Sequence, residues 1–292
     1  AEIPKDRKMI AVKEVAVRCP KITKITDDIK IEIVENQRYL MDNIQIDDEE
    51  TFNRAVTSDC EITLVSDGGL RNKGGFGWVA LCEEEVIARC HGAVRGKIDE
   101  MSSFRTEATG MYSAVMLFGK ISKQFESKIK MAIWTDNESL VQRMRKLQEF
   151  DPILAYAKND HDLYVGIRDA ISQIQISEIS HVRGHQDKEG RELNHVEKLN
   201  VLADELAMRA VEESEESQVE WNRDIGPILE IDGVTITKKE GMKLSIAAER
   251  KEFELWQRQK LGMRRSEYTK IDWDSQHAVM AACDKNANRF AV

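Results

Sequence analysis

From position 61 onward short apolar runs alternate with stretches of helical period, and the order of the two predicts an architecture. Runs at 61–67, 76–82 and 86–94, linked by short polar turns and by Gly74-Gly75, read as a three-stranded antiparallel meander. Apolar residues then recur at helical spacing over 104–119, with Gly119 in position to cap the helix. A further strand at 129–135 ends in Asp136-Asn137, helical patterns cover 137–147 and 160–174, a strand covers 176–182, and a last helix covers 194–211. Strand, helix, strand in that order requires a crossover, which makes the later strands parallel to the first. The expected fold class is α/β: a five-stranded mixed sheet, three antiparallel strands followed by parallel ones, with helices on both faces.

The flanks are less regular. Residues 1–58 carry one alternating stretch, 29–33, that reads as a half-buried strand, and an acidic group at 47–50 that reads as a solvated linker. A second acidic linker contains Glu212, Glu213, Glu215, Glu216 and Glu220. Residues 228–237, centred on Asp232-Gly233, form a strong hairpin signal. A charged helix over 239–261, with Phe253 and Trp256 on one side, and a short helical stretch ending at Phe290 complete the chain. The expected organisation is an N-terminal extension (1–58), a central catalytic domain (59–212), an acidic linker (213–226) and a C-terminal hairpin with helices (227–292).

With 292 residues, 41% apolar and 33% charged, the chain can bury a sizeable core and reads as soluble. No apolar run approaches the roughly 18 residues that span a bilayer, and the amino end lacks a secretory pattern. The first residue is Ala1 rather than Met, as expected for a piece of something longer. Cys19, Cys60, Cys82, Cys90 and Cys283 form no CxxC pair and no zinc spacing, which points to buried or bystander thiols in a reducing, intracellular compartment, cytoplasmic or nuclear. A net charge of −9 is awkward for a nucleic-acid protein, yet residues 238–270 hold ten Lys/Arg against five Asp/Glu. That run could bind phosphate, although a solvated helix face is its commoner meaning.

Chemistry enters with Thr63-Leu64-Val65-Ser66-Asp67-Gly68-Gly69, an apolar run that carries a carboxylate to a predicted turn. An aspartate there suits a metal better than a core, and the two glycines allow a bend and the close approach of a bulky partner. Taken singly, each candidate has a plain alternative. Asp67-Gly68 also suits an ordinary hairpin turn. Glu107, in the first turn of its helix, is favourable with the helix dipole. Asp136 before Asn137 suits an N-cap. Asp204 suits a solvated helix face, and His185, like His91, His161, His181, His195 and His277, suits a loop. Their joint placement is what these readings leave unexplained. Asp67 and Asp136 would share one edge of the sheet, with Glu107, Asp204 and His185 converging on it. Clustered carboxylates are costly unless divalent cations neutralise them. All-oxygen ligation favours Mg²⁺ or Mn²⁺ over zinc, and two such ions about 4 Å apart suit in-line displacement at phosphorus. The implied reaction is phosphodiester hydrolysis.

These residues resemble type 1 ribonuclease H, including the ribonuclease H domains of retroelement reverse transcriptases. Ser66-Asp67-Gly68-Gly69, Phe104-Arg105-Thr106-Glu107, Trp134-Thr135-Asp136-Asn137, Val182-Arg183-Gly184-His185 and the run Asn200-Val201-Leu202-Ala203-Asp204-Glu205-Leu206-Ala207 match its five motifs in order. The separations of the central residues, 40, 29, 49 and 19, suit it too, and the resemblance covers about residues 59 to 212. It implies a ribonuclease H-like fold and a two-metal endonuclease that cuts the RNA strand of RNA/DNA hybrids, leaving 3′-hydroxyl and 5′-phosphate ends. In that picture Asp67 bridges two Mg²⁺ ions, for which Mn²⁺ can substitute. Asp204 completes the water-activating ion, Glu107 and Asp136 hold the other, and His185 moves protons or assists product release. Gly68, Gly69, Ser102, Ser103 and Asn137 are the expected substrate contacts. The implied partners are the hybrid and a reverse transcriptase in the same polyprotein, with no membrane.

Two departures stand out. Ser103-Phe104 occupies positions where the family often has two asparagines, so contacts with the hybrid differ, with Ser102 and Ser103 offering hydroxyls. The dense basic protrusion of some members is reduced to Arg143, Arg145 and Lys146, diluted by Glu149 and Asp151, which shifts the expected hybrid-binding surface to 238–270. The rival readings are an integrase-like or transposase-like relative and a hybrid-binding module without catalysis.

Overall fold

The computed structural model describes residues 21–95, 101–126, 128–146, 160–184, 192–213, 229–231, 234–236, 255, 256, 258 and 262. The chain divides into two units, 1–238 and 239–292. In the second, residues 255, 256 and 258 are helical; the rest of the expected 239–261 helix and all of the 271–290 stretch lie outside the described residues.

The first unit is built on a mixed sheet. Its strands are β3 (Gln45–Ile46), β4 (Glu61–Leu70), β5 (Gly74–Cys82), β6 (Glu85–Val94), β7 (Lys130–Thr135) and β8 (Gln175–His181), in the spatial order β3-β6-β5-β4-β7-β8. β4, β5 and β6 are the antiparallel meander, and β7 and β8 run parallel to β4, as expected. The sixth strand, β3, extends the expected five by pairing Gln45 and Ile46 with Arg89 and Ala88, and so covers the β6 edge. Two residues are too few to register as a strand from sequence.

Residues 21–57 are integral to this unit. β1 (Lys21–Lys24) and β2 (Lys30–Ile33) form a hairpin, and the alternation expected at 29–33 is present, with Ile31 and Ile33 inward. A 3₁₀ segment, Glu35–Leu40, and helix α1 (Glu49–Thr57) follow. The acidic group at 47–50 is a helix start rather than a linker. Asp48 caps α1 by accepting from the Thr51 N–H at 2.7 Å, Glu49 and Glu50 lie in its first turn, and Asp47 pairs with Arg89. Phe52 of α1 packs on Phe118, which in turn packs on Trp78, with both pairs of ring centroids 6.2 Å apart. The Trp78 indole N–H donates to Ser113 Oγ at 2.9 Å, and that hydroxyl donates to the Leu40 carbonyl at 2.6 Å. A single buried cluster therefore joins Ile31, Leu40 and Phe52 to Ile62, Trp78 and Phe118.

Helix α2 (Ser103–Gln124) covers one face of the sheet and is buried over most of its length, with helix α4 (His161–Ile171) outside it. It continues through Gly119 because that residue is a contact rather than a cap. A Cβ there would sit 2.9 Å from the Ala170 carbonyl of α4. Helix α3 (Glu138–Arg145) lies against β7 and β8. Helix α5 (His195–Glu213) covers the other face, over Val65, Val79 and Leu81. β9 (Leu229–Ile231) and β10 (Val234–Ile236) form the expected hairpin. Cys60, just before β4, and Cys82, at the end of β5, are joined in a disulfide, against the expectation of bystander thiols; Cys90 is free and buried. Their 22-residue separation hides a proximity that only the antiparallel pairing creates. Among the described residues no helix is long and apolar enough to cross a membrane.

Candidate active site

Asp67 does not stand at a turn. β4 runs on to Leu70, with Asp67 opposite Gly77, Gly68 opposite Phe76 and Gly69 opposite Gly75. The glycines serve close approach instead of bending. A Cβ on Gly68 would fall 2.3 Å from the Glu107 backbone nitrogen of α2, and one on Gly75 or Gly77 would fall 2.4 Å from the Ala207 or Ala203 carbonyl of α5. Both helices thus press on the sheet around Asp67, and α5 delivers Asp204 between Ala203 and Ala207.

The cap of α3 is Asn137, whose side chain accepts from the Leu140 N–H at 3.0 Å, so Asp136 has no capping task. Glu107 lies in the second turn of α2, because Ser102 is the cap and accepts from the Arg105 N–H at 3.1 Å. His181 is the last residue of β8 rather than a loop residue, and its Nε2 lies 3.0 Å from the Asp136 carbonyl. His91 sits in β6 and pairs with Glu213.

The parallel pairing of β4 with β7 sets Val65 beside Trp134 and Ser66 beside Thr135, so Asp67 and Asp136 come next along adjacent strands. Asp67, Glu107 and Asp136 each offer a carboxylate oxygen, and these atoms lie within 4.8 Å of one another. Asp67 and Glu107 are both 5% exposed. The Gly68 N–H donates to Asp67 Oδ1 at 2.6 Å. The fully buried Thr135 hydroxyl donates to Glu107 Oε2 and accepts from the Asn137 N–H, both at 3.3 Å. A Cβ on Gly184 would come within 2.5 Å of Asp136 Oδ2, so a side chain there would displace this carboxylate.

Burial raises the Asp67 carboxyl to about 7, with the Asp136 and Asp204 charges adding to the rise and the Gly68 N–H opposing it. Burial likewise raises Glu107 well above the carboxylate range, reinforced by the Asp67 and Asp136 charges. Asp204 is half-buried and stands outside the three-carboxylate cluster, close enough for its charge to act on Asp67. His185 lies outside the described residues. Of the expected substrate contacts, Gly68 and Gly69 are in β4, Ser102 and Asn137 are helix caps, and Ser103 is exposed at the start of α2.

Sequence reasoning missed the support around these groups. Arg105, 4% exposed, donates to Asp160 at 3.0 Å and to Asp162 at 2.9 and 2.6 Å, which pins the start of α2 to α4. The two aspartates hold its charge firmly against the pull of burial. An arginine inside an otherwise apolar helix face was the available signal.

No family model matches the chain, and no curated protein matches it. Solved structures it is similar to include type 1 ribonuclease H proteins and a foamy virus enzyme. RNase H1 from the halophilic archaeon Halobacterium salinarum NRC-1 is 20% identical over 53% of this chain and 99% of its own, at a TM-score of 0.34. LC9-RNase H1, a type 1 RNase H with the type 2 active-site motif, is 14% identical over 66% and 86%, at 0.40. The foamy viral protease-reverse transcriptase in complex with RNA/DNA hybrid is 16% identical over 53% of this chain and 20% of its own, at 0.34. The ribonuclease H-like fold of this chain rests on its own strand order and helix placement.

Proposed function

We propose that this chain is a metal-dependent endonuclease that hydrolyses the RNA strand of RNA/DNA hybrids. The observation that supports the reading is the meeting of Asp67, Glu107 and Asp136 from two strands and a helix, within 4.8 Å, with no capping or turn role for any of them. Three clustered carboxylates, Asp67 and Glu107 buried and Asp136 half-buried, are a standing electrostatic cost without a cation.

The donor set fits a hard divalent cation. It is all oxygen, and its three carboxylates lie close enough together to share one ion. Asp67, Glu107 and Asp136 would hold Mg²⁺ or Mn²⁺, with Asp204 the fourth ligand that the family resemblance implies. Such ions, when bound, supply an activated water and neutralise charge on the leaving oxygen. The chain's own groups orient the ligands. The Gly68 N–H fixes one Asp67 oxygen, Thr135 fixes Glu107, and Gly184 keeps the chain clear of Asp136. His185, two positions after Arg183, is assigned proton movement or product release by the resemblance alone. The RNA 2′-hydroxyl is the group by which the site would distinguish RNA from DNA, with Ser102, Ser103 and the Gly68-Gly69 backbone as contacts. A reverse transcriptase in the same polyprotein is the partner this reading favours.

Asp136→Asn tests the reading. Hybrid binding is expected to persist while RNA cleavage falls by at least a hundredfold; cleavage at the parent rate overturns it.

A further inference from the structure

We infer that Arg143 is a preformed contact for a backbone phosphate of the bound hybrid beside the scissile position. The inference rests on the nuclease reading and adds a positioning residue to it.

Several arginines of the first unit already have partners. Arg105 is met by Asp160 and Asp162, Arg89 by Asp47, and Arg168 by Asp169, while Arg145 donates to the Ile179 carbonyl. Arg143 differs. It is exposed, and among the described residues no carboxylate lies within 4.0 Å of it. Yet its guanidinium is held in place. It stacks 4.3 Å from the centroid of the Phe104 ring, lies 5.6 Å from that of Tyr164, and donates to the Tyr164 hydroxyl. Phe104 and Tyr164 brace each other at 5.9 Å. A guanidinium carries five N–H groups, so one bond to Tyr164 leaves a fork of donors for an anion.

Position gives this cation its meaning. Phe104 precedes Glu107 by three residues in α2, so the two share a helix face with Cβ atoms about 5–6 Å apart. The guanidinium stacked on Phe104 therefore lies on the neighbouring stripe of α2 from Glu107. Backbone phosphates recur every 3.4 Å of axis along a strand, so a hybrid with one phosphate at the carboxylates presents others within reach of Arg143. A chain of net charge −9 that binds a polyanion needs such unneutralised, oriented cations close to its acidic site. The ring at position 104 fixes the cation there.

The test compares Arg143→Gln and Arg143→Lys with the parent full-length chain. Hybrid binding is titrated at several salt concentrations in the cleavage-deficient Asp136→Asn background, and kcat and KM are measured without that substitution. Arg143→Gln should lower the salt slope by about 0.9, weaken binding several-fold at low salt, and lower kcat/KM mainly through KM. Arg143→Lys should keep the slope. Phe104→Leu, which frees the cation without removing it, should also keep the slope while raising KM. Unchanged KM and salt slope in Arg143→Gln, in a parent that binds and cuts the hybrid, overturns this inference alone. A parent that neither binds nor cuts overturns the nuclease reading and this one with it.

Discussion

Replacing Asp67 with Asn should stabilise the metal-free protein at neutral and alkaline pH while abolishing hydrolysis. In the folded chain the Asp67 carboxyl ionises at about 7, against 3.8 ordinarily. Below pH 4 folded and unfolded chains both keep the proton, and stability carries no penalty. Between pH 4 and 7 the unfolded chain has released a proton that the folded one retains, so stability falls as pH rises. Above 7 both are ionised, and the accumulated penalty is about 4 kcal/mol. Asn keeps an oxygen for the Gly68 N–H and removes the charge, which also relieves Glu107, raised for the same reasons. Urea unfolding of both proteins in chelator, from pH 4 to 9, reads Asp67 together with the relief of Glu107 that its loss causes, because the groups away from this cluster are common to the pair. The variant's advantage should be near zero at pH 4 and reach about 2–4 kcal/mol by pH 8. Added Mg²⁺ should shrink it by stabilising the parent. A difference that does not vary with pH, or that favours the parent at pH 8 in chelator, refutes the reasoning.

Three further substitutions probe the scaffold. Arg105→Met leaves Asp160 and Asp162 buried without their cation and should cost about 3–5 kcal/mol in thermal or chemical unfolding. Gly77→Ala forces a Cβ to within 2.4 Å of the Ala203 carbonyl; a loss of about 1–3 kcal/mol, with reduced cleavage as α5 and Asp204 shift, is expected. Phe52→Ala should cost about 3–5 kcal/mol in a single unfolding transition, because Phe52 packs into the core of the sheet; two separate transitions would show the N-terminal segment to be an independent unit.

The sheet was legible because its strands differ in period from the helices between them, and because Asp136 and Asp67 end up on adjacent parallel strands whatever the exact boundaries. Details that depend on tertiary contact were not legible. Gly68 and Gly69 look like a turn in sequence, yet they stay in β4, and α2 needs glycine at position 68. Gly119 looks like a cap, but it admits the Ala170 carbonyl. Asp47 looks like part of a solvated run until β3 brings it to Arg89, and Cys60 meets Cys82 only through strand pairing. At the site, three of the five expected groups come together as carboxylates within 4.8 Å. The groups that orient them, Thr135 and Gly184, carry no local signature, and Arg105 behind them shows in sequence only as a charge on an apolar helix face, without its partners Asp160 and Asp162. They are recognisable only once the elements are packed.

Cleavage of a labelled RNA strand in an RNA/DNA hybrid, with Mg²⁺, with Mn²⁺ and with chelator, beside single-stranded RNA and duplex DNA, tests the central claim most directly. The account predicts metal-dependent cutting confined to the RNA of the hybrid, with 5′-phosphate ends. Binding of the hybrid with no cutting under either metal would contradict it and identify a binding module.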